Sequence, residues 1–240
     1  MRAMVLAAGL GTRLRPLTND RPKALVEIHG RSLLEITLGR LRSFGVGEVI
    51  VNAHHFAEMI GEHLKAHDNF GMRVEVSREE VLLDTGGGLK QAAWFFREDN
   101  EPFLLHNVDV ISNIDLGRMV EFHRDNDALA TLAVQERASS RQLLFDGDGR
   151  LCGRKAEGEE AEIVREGGCR ALAFCGIHVI SPRIFSLLTE EGAFPLVPAY
   201  LRLAGAEQRI VAFRADEYQW RDLGTVESLR QAAGEMSTGE

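Results

Sequence analysis

The chain has 240 residues, of which 45% are hydrophobic, and this is enough apolar material for one large globular domain. Its formal net charge of −8 excludes general binding to nucleic acid backbones, because proteins that do this carry a surplus of lysine and arginine. No basic leader and no apolar stretch of membrane-spanning length are visible, so we expect a cytoplasmic protein with no membrane partner.

The cysteines and histidines point away from metal or disulfide frameworks. The three cysteines (Cys152, Cys169 and Cys175) include no CxxC pair, so we expect them to be reduced and structural. His63 and His67 could share a helical face, but His67 is near the predicted helix end, where a cation interacts favourably with the helix dipole. A catalytic zinc site is therefore disfavoured.

Strands and helices alternate over the first 140 residues. Residues 3–8 form an apolar run that ends at Gly9, as expected of a buried strand that opens into a loop. Ser32 and Glu35 make a capping box that begins a helix, and Gly45 is well placed to end it. Further strands are expected over residues 48–52, 72–76, 102–106 and 128–134, and further helices over residues 56–64, 89–97 and 115–125. The glycines of residues 84–88 predict a turn before the second of these helices.

This alternation predicts an α/β fold with a Rossmann-like, mostly parallel sheet and helices on both faces. Ligands of such sheets bind at the carboxyl ends of the strands. Beyond residue 140 the pattern is less regular, with a hairpin turn predicted at residues 146–149 and an exposed loop at residues 154–168. No linker separates the halves, so we expect a single domain over residues 1–240, in which residues 141–240 form a smaller extension that covers the substrate cleft.

The clearest chemical signal is a loop near the amino end. Residues 6–18 read Leu-Ala-Ala-Gly-Leu-Gly-Thr-Arg-Leu-Arg-Pro-Leu-Thr, and Pro22 and Lys23 follow. Small residues let backbone N–H groups approach a triphosphate, while Arg13 and Lys23 can neutralise its charge. The segment lacks the GK[ST] of a Walker A motif, and Leu14 stands where a dinucleotide motif needs its third glycine. The loop therefore predicts an anion site of another kind.

Two aspartates are candidates for holding a metal. Asp109 follows the apolar strand predicted at residues 102–106, and Asp222 precedes the Gly224-Thr225 pair where the last helix is expected to begin. Nucleotidyl transfer needs a hard divalent cation to offset phosphate charge, and Mg²⁺ is usually held by one or two carboxylates plus waters. If both side chains converge near the first loop, they predict a Mg²⁺ site.

Taken together, these motifs resemble the sugar-1-phosphate nucleotidyltransferases. The resemblance includes Asp-Thr-Gly-Gly-Gly at residues 84–88, His-Asn-Val-Asp at 106–109, Ala-Phe-Cys-Gly-Ile at 173–177 and Trp-Arg-Asp-Leu-Gly-Thr at 220–225. Among subfamilies, the chain is most similar to the bacterial N-acetylmuramate-1-phosphate uridylyltransferases of cell-wall recycling, which are close to the mannose-1-phosphate guanylyltransferases. The resemblance implies the nucleotide-diphospho-sugar transferase fold.

The same resemblance implies an activity and a set of site residues. The substrates would be a nucleoside triphosphate and a sugar 1-phosphate, and the products would be a nucleotide-sugar and pyrophosphate. The oligomeric state would be a monomer or a homodimer. The first half, residues 1–140, would bind the nucleotide through Ala7, Ala8, Gly9, Gly11, Thr12, Arg13, Lys23, Thr85 and Gly86. The sugar phosphate would contact Asn107, Gly176 and Trp220, with residues 141–240 as its half of the domain. Arg13, Lys23 and Asp109 would be catalytic, and Asp109 and Asp222 would hold Mg²⁺.

One departure from the family keeps alternatives open. Val108 stands where the family commonly has glycine before the metal aspartate, which leaves a catalytically silent nucleotide-sugar binding protein as an alternative. A mannose-1-phosphate guanylyltransferase and a cytidylyltransferase for a phosphorylated alcohol are two others. An NAD enzyme is disfavoured, because Leu14 replaces the motif glycine and the second predicted strand ends at Asn52 rather than at a ribose-binding acid.

Overall fold

A ten-stranded mixed sheet takes strands from both halves of the chain. The structure is a computed structural model that describes residues 1–97 and 100–236. Its strands are β1 (Arg2–Leu6), β2 (Glu27–Ile28), β3 (Arg31–Ser32), β4 (Glu48–Ala53), β5 (Arg73–Arg78), β6 (Phe103–Asn107), β7 (Val110–Ser112), β8 (Ala130–Gln135), β9 (Arg141–Phe145), β10 (Leu151–Ala156), β11 (Glu162–Ile163), β12 (Arg170–Ile180), β13 (Ile210–Arg214) and β14 (Trp220–Asp222). Its α-helices are α1 (Leu33–Ser43), α2 (Ala57–Ala66), α3 (Asp84–Gln91), α4 (Leu116–Asp125), α5 (Leu196–Gly205) and α6 (Val226–Met236).

The order of the strands places the chemistry at one edge of the sheet. The main path is β11-β10-β9-β12-β6-β1-β4-β5, with β8 paired to β12 and β13 paired to β8. Strands β6, β1, β4 and β5 are parallel, so their carboxyl ends share one edge. Strand β12 runs antiparallel to both β6 and β9 and joins the second half to this parallel group. The predicted α/β class is confirmed, and the single domain stays a prediction.

Helices cover both faces of the sheet, because successive apolar side chains of the central strands lie on opposite faces. In β1, Ala3 and Val5 belong to the core cluster that α1, α2, α4 and α6 complete. Met4 belongs to the opposite cluster, built with α3 and α5. All three side chains are fully buried. None of the helices in the described ranges is long and apolar enough to span a membrane.

Local signals predicted α1 well. The Ser32 hydroxyl accepts a hydrogen bond from the Glu35 backbone N–H at 3.0 Å, which satisfies one of the donors that a helix start leaves unpaired. Gly45 follows the helix with φ of 77°, a conformation that glycine adopts without strain. The turn predicted at residues 146–149 is also present, and it joins β9 to β10.

Three expectations about local structure were wrong. Residues 84–88, predicted as a turn, form the first part of α3, and a 3₁₀ helix (Ala92–Phe96) follows α3. In the loop predicted over residues 154–168, residues 154–156 form the end of β10 and residues 162–163 form β11 against it. Cys152 and Cys169, expected to be reduced, are joined by a disulfide. The reason is tertiary, since β10 and β12 flank β9 on either side and both pair with Phe145.

Candidate active site

The first loop, residues 7–11, leaves β1 at the carboxyl edge of the sheet. The Ala7 backbone N–H donates to Asn52 Oδ1 at 2.8 Å, and Ala7 and Ala8 are both buried. Gly11 has φ of 62°, and its carbonyl accepts a hydrogen bond from Thr18 Oγ1 at 2.8 Å. The loop is therefore shaped by contacts on its inner side, which leaves its outer side open.

A buried leucine holds the next turn in place. Leu14 ends the 3₁₀ helix Thr12–Leu14 and is fully buried, whereas Thr12 and Arg13 are exposed. An apolar anchor at this position fixes the turn by packing, so the glycine that a dinucleotide motif needs there is not required. Arg13 consequently lies on the exposed side of the turn.

An ion pair joins the 3₁₀ helix Lys23–Leu25, beside the first loop, to the segment that follows β6. Lys23 Nζ lies 2.8 Å from Asp109 Oδ2, and the two side chains are only 15% and 9% exposed. A methyl group on Gly9 would lie 3.8 Å from the same Lys23 nitrogen, so the loop passes directly beside the pair. Because the pair is largely shielded from water, its charges interact more strongly than those of a surface pair.

Asp222 arrives beside Asp109 through strand pairing. Strand β14 is antiparallel to β7, and Asp222 stands opposite Val110. The Leu223 backbone N–H also donates to the Asp109 carbonyl at 2.7 Å. Two aspartates more than a hundred residues apart in sequence are therefore neighbours in the fold.

Gly224 brings Arg13 into the same group. The Gly224 N–H donates to Asp222 Oδ1 at 2.6 Å. A methyl group at Gly224 would lie 2.6 Å from Arg13 Nη2 and 2.7 Å from Asp222 Oδ1, both closer than real side chains approach. A larger residue at this position would therefore have to displace one of these two charged side chains. Arg13 and Lys23 together supply positive charge on both sides of the aspartates.

The Val108 side chain packs away from the charged groups of this site. Its side chain is 1% exposed and belongs to the core cluster beneath the sheet edge. Its carbonyl lies 3.3 Å from Thr37 Oγ1 in α1. Since the valine side chain packs into the core, the contact between Lys23 and Asp109 is undisturbed.

The three residues expected at the sugar phosphate meet beside β12. Gly176 has φ of 71°, and a methyl group there would lie 2.7 Å from Asn107 Nδ2. Trp220 Nε1 donates to the Cys175 carbonyl at 2.7 Å, and the Arg137 guanidinium carbon lies 3.8 Å from the centre of an indole ring of Trp220. Sequence reasoning missed Arg137, because a cation stacked on an aromatic ring leaves no spacing signature.

Thr85 and Gly86 are held mainly by the chain that leads into α5. The Gly86 N–H donates to the Phe194 carbonyl at 2.9 Å, and Thr85 Oγ1 accepts from the Leu196 N–H at 2.9 Å. Among residues 1–97 and 100–236, no hydrogen bond connects either residue to Lys23. These two predicted site residues are therefore positioned by the segment before α5 and not by the aspartates.

A buried polar relay links the first loop to the start of α3. Asn52 Nδ2 donates to Glu79 Oε1 at 2.7 Å, and Glu79 Oε2 accepts from the Leu83 N–H at 2.9 Å. Asn52 and Glu79 are each 2% exposed, so their polar atoms need these partners. Sequence reasoning missed the relay, although a polar Asn52 at the end of an apolar strand was a visible signal.

His106 contributes no charge to this region at neutral pH. Burial lowers the pKa of His106 to about 4, and its Nδ1 lies 2.8 Å from the Asn107 carbonyl. Within the described part of the chain, no three His, Cys, Asp or Glu side chains form a group that could hold a metal ion. The charged groups that meet at the carboxyl edge of the sheet are Arg13, Lys23, Asp109 and Asp222.

Comparison with known sequences assigns this arrangement to a family. The family model described as nucleotidyl transferase matches residues 2–143. The N-acetylmuramate alpha-1-phosphate uridylyltransferase of Caulobacter vibrioides is 36% identical, over 98% of this chain and 96% of that protein. The mannose-1-phosphate guanylyltransferase of Mycobacterium tuberculosis is 30% identical over 99% of this chain, which spans 65% of that protein.

Comparison with solved structures supports the fold. A UDP-glucose pyrophosphorylase complexed with UDP-glucose superposes with a TM-score of 0.80 at 18% identity, covering 100% of this chain and 99% of that one. HddC from Yersinia pseudotuberculosis, complexed with GMP-PN, superposes with a TM-score of 0.78 at 22% identity, covering 98% and 99%. At these identities the likeness establishes the architecture alone.

Proposed function

The chain belongs to the nucleotidyl transferase family and is a sugar-1-phosphate nucleotidyltransferase, and from this premise we propose that it condenses N-acetylmuramate 1-phosphate with UTP. The products are UDP-N-acetylmuramate and pyrophosphate. The observation that carries the proposal is the convergence of Lys23, Asp109 and Asp222 beside a glycine-containing loop. The choice of sugar and base follows the Caulobacter relative, which this chain matches over nearly its whole length.

The first loop and its two cations suit a triphosphate. Ala7, Ala8, Gly9 and Gly11 have little or no side chain, so backbone N–H groups can approach phosphate oxygens. Arg13 and Lys23 then offset the charge of those oxygens, and Thr12 offers a hydroxyl at the exposed side of the turn. In this proposal Thr85 and Gly86 bind the base end of the nucleotide, while Asn107, Gly176 and Trp220 bind the sugar phosphate.

The donor set suits Mg²⁺. Hard oxygen ligands are available from Asp109 and Asp222, and Mg²⁺ commonly uses one or two carboxylates with waters and substrate phosphates rather than a cage of protein ligands. The pairing of Asp109 with Lys23 leaves its second carboxylate oxygen for a metal. When bound, the ion supplies charge that offsets the phosphate oxygens of the transition state.

The reaction needs positioning and charge more than proton transfer. An oxygen of the sugar phosphate forms a bond to the α-phosphorus as the bond from that phosphorus to the bridging oxygen breaks, and pyrophosphate leaves with the electron pair. The attacking phosphate is already anionic near neutral pH, so no general base is required. Lys23 and Arg13 are placed to stabilise the negative charge that develops, which is where such sites gain most of their rate.

A substrate panel tests the proposal. Pyrophosphate release is measured with UTP or GTP, each combined with N-acetylmuramate, mannose or glucose 1-phosphate, in the presence of Mg²⁺. We expect the highest kcat/KM with UTP and N-acetylmuramate 1-phosphate. We expect Asp109→Asn to lower that kcat/KM about 10³-fold, because a metal ligand and a charge partner are lost together.

Two outcomes would contradict the proposal in different ways. The highest kcat/KM with GTP and mannose 1-phosphate would transfer the substrate assignment to the guanylyltransferases. Retention of nucleotide binding with no turnover on any pair would indicate a catalytically silent binding protein.

A further inference from the structure

A cleft of about 690 Å³ lies between the β9–β10 hairpin and the amino ends of α3 and α5. Phe174 forms part of its wall and stands two residues before Gly176 on β12, a separation of about 7 Å along a strand. The Phe174 carbonyl accepts a hydrogen bond at 2.9 Å from Arg137, whose guanidinium stacks on Trp220. The cleft therefore borders the residues assigned to the sugar phosphate.

Arg141 lies on the cleft side of the hairpin. In the pairing of β9 with β12, Leu143 stands opposite Leu172, and the same register continued by two residues sets Arg141 opposite Phe174. Residues two apart in a strand share a face, so Arg141 lies on the same face as Leu143, which also lines the cleft. Lys155 stands opposite Gln142, and both residues also line the cleft, although their side chains leave the hairpin from the opposite face to Arg141.

Arg141 is also the arginine of this cleft that has no acidic partner. Arg154 is engaged, because its Nε lies 2.6 Å from Glu162 Oε2. Within the described ranges, the exposed Arg141 side chain makes no ion pair. Three further acids line the cleft, Glu159 and Glu160 from the loop after β10 and Asp84 at the start of α3. A carboxylate that enters the cleft is therefore repelled by these acids and attracted toward its cations, of which Arg141 lies on the same face as Leu143 and Lys155 on the other.

We propose that Arg141 determines the choice of sugar by binding the carboxylate of the lactyl group, which distinguishes N-acetylmuramate from N-acetylglucosamine. This inference rests on the proposed function and adds a recognition site to it. Arginine suits the task, since its planar guanidinium offers two parallel N–H donors to a carboxylate. A sugar with a hydroxyl in place of the lactyl ether cannot form this charge-assisted pair.

The test compares two sugars that differ only in the lactyl group. With saturating UTP and Mg²⁺, kcat/KM is measured for N-acetylmuramate 1-phosphate and for N-acetylglucosamine 1-phosphate. We expect Arg141→Met, which keeps the apolar stem and removes the charge, to lower the ratio of the two kcat/KM values about 10- to 100-fold. The loss should fall mainly on the KM for N-acetylmuramate 1-phosphate, because the lactyl group lies away from the reacting atoms.

Lys155→Met is the matched comparison, since it removes another cation that lines the cleft but whose side chain leaves the hairpin from the opposite face. We expect it to leave the ratio unchanged, and thermal unfolding should show both variants folded. The inference is overturned if Arg141→Met leaves the ratio unchanged or if Lys155→Met lowers it equally. A wild-type enzyme that does not prefer N-acetylmuramate 1-phosphate would instead refute the proposed function and, with it, this role for Arg141.

Discussion

Two glycine-containing segments of this protein use glycine for opposite reasons. At Gly9 in the first loop, an added methyl group would meet only Lys23 Nζ, at 3.8 Å, so the space beside the backbone is open. At Gly87 in α3, an added methyl group would collide with the carbonyl oxygen of Gly192, a backbone atom that cannot easily move. The comparison shows that a run of glycines can make room for a ligand or for the protein itself, and the sequence alone does not distinguish the two.

The largest effect should come from the cation that borders the open segment. We expect Lys23→Met to lower kcat/KM about 10³-fold, because charge that stabilises the transition state is lost. The variant also leaves a buried Asp109 without its partner, which should lower the melting temperature. Steady-state kinetics and thermal unfolding measure the two effects separately.

The double variant Lys23→Met/Asp109→Asn shows which of these effects explains the loss of activity. It removes both charges, so we expect the melting temperature to recover while activity stays low. Recovery of activity together with stability would mean that the pair only maintains the fold, and the contrast between the two segments would fail.

In α3, where Gly87 packs against Gly192, we expect substitution of glycine to lower the stability of the protein. We expect Gly87→Ala to destabilise the protein by about 2 kcal/mol, since the methyl group has no room, and to lower the melting temperature by about 5 °C. The matched control is Gly61→Ala in α2, where nothing lies within 4 Å of the added methyl group. There the better helix propensity of alanine should stabilise by about 1 kcal/mol. Equal melting temperatures for the two variants would show that α3 tolerates the methyl group.

The smallest effect is expected at the open segment itself. We expect Gly9→Ala to leave the melting temperature nearly unchanged and to raise the KM for the nucleoside triphosphate about tenfold, because the methyl group stands where phosphate must approach. Titration with the triphosphate and thermal unfolding of the unliganded protein measure the two quantities. A drop in melting temperature with an unchanged KM would show that Gly9, like Gly87, makes room for the protein and not for a ligand.

Much of the fold could be predicted because its elements carry local signals. The capping of α1 by Ser32 depends on residues three apart, and the alternation in β1 depends on residues two apart. Residues 84–88 were wrongly predicted as a turn, because three glycines disfavour a helix unless the surroundings require them. The disulfide between Cys152 and Cys169 was missed because its two cysteines meet through the strands on either side of β9.

The sequence by itself determined which residue types carry the chemistry: the small residues of the first loop, Lys23 beside it, and Asp109 at the end of a strand. Local spacing was sufficient for these, because an apolar strand followed by a loop is visible in a short stretch of sequence. Only the tertiary structure decided that Asp222 stands beside Val110 and that Gly87 packs against Gly192. Such pairings depend on strand register and packing between distant segments, and no short window of sequence contains both partners.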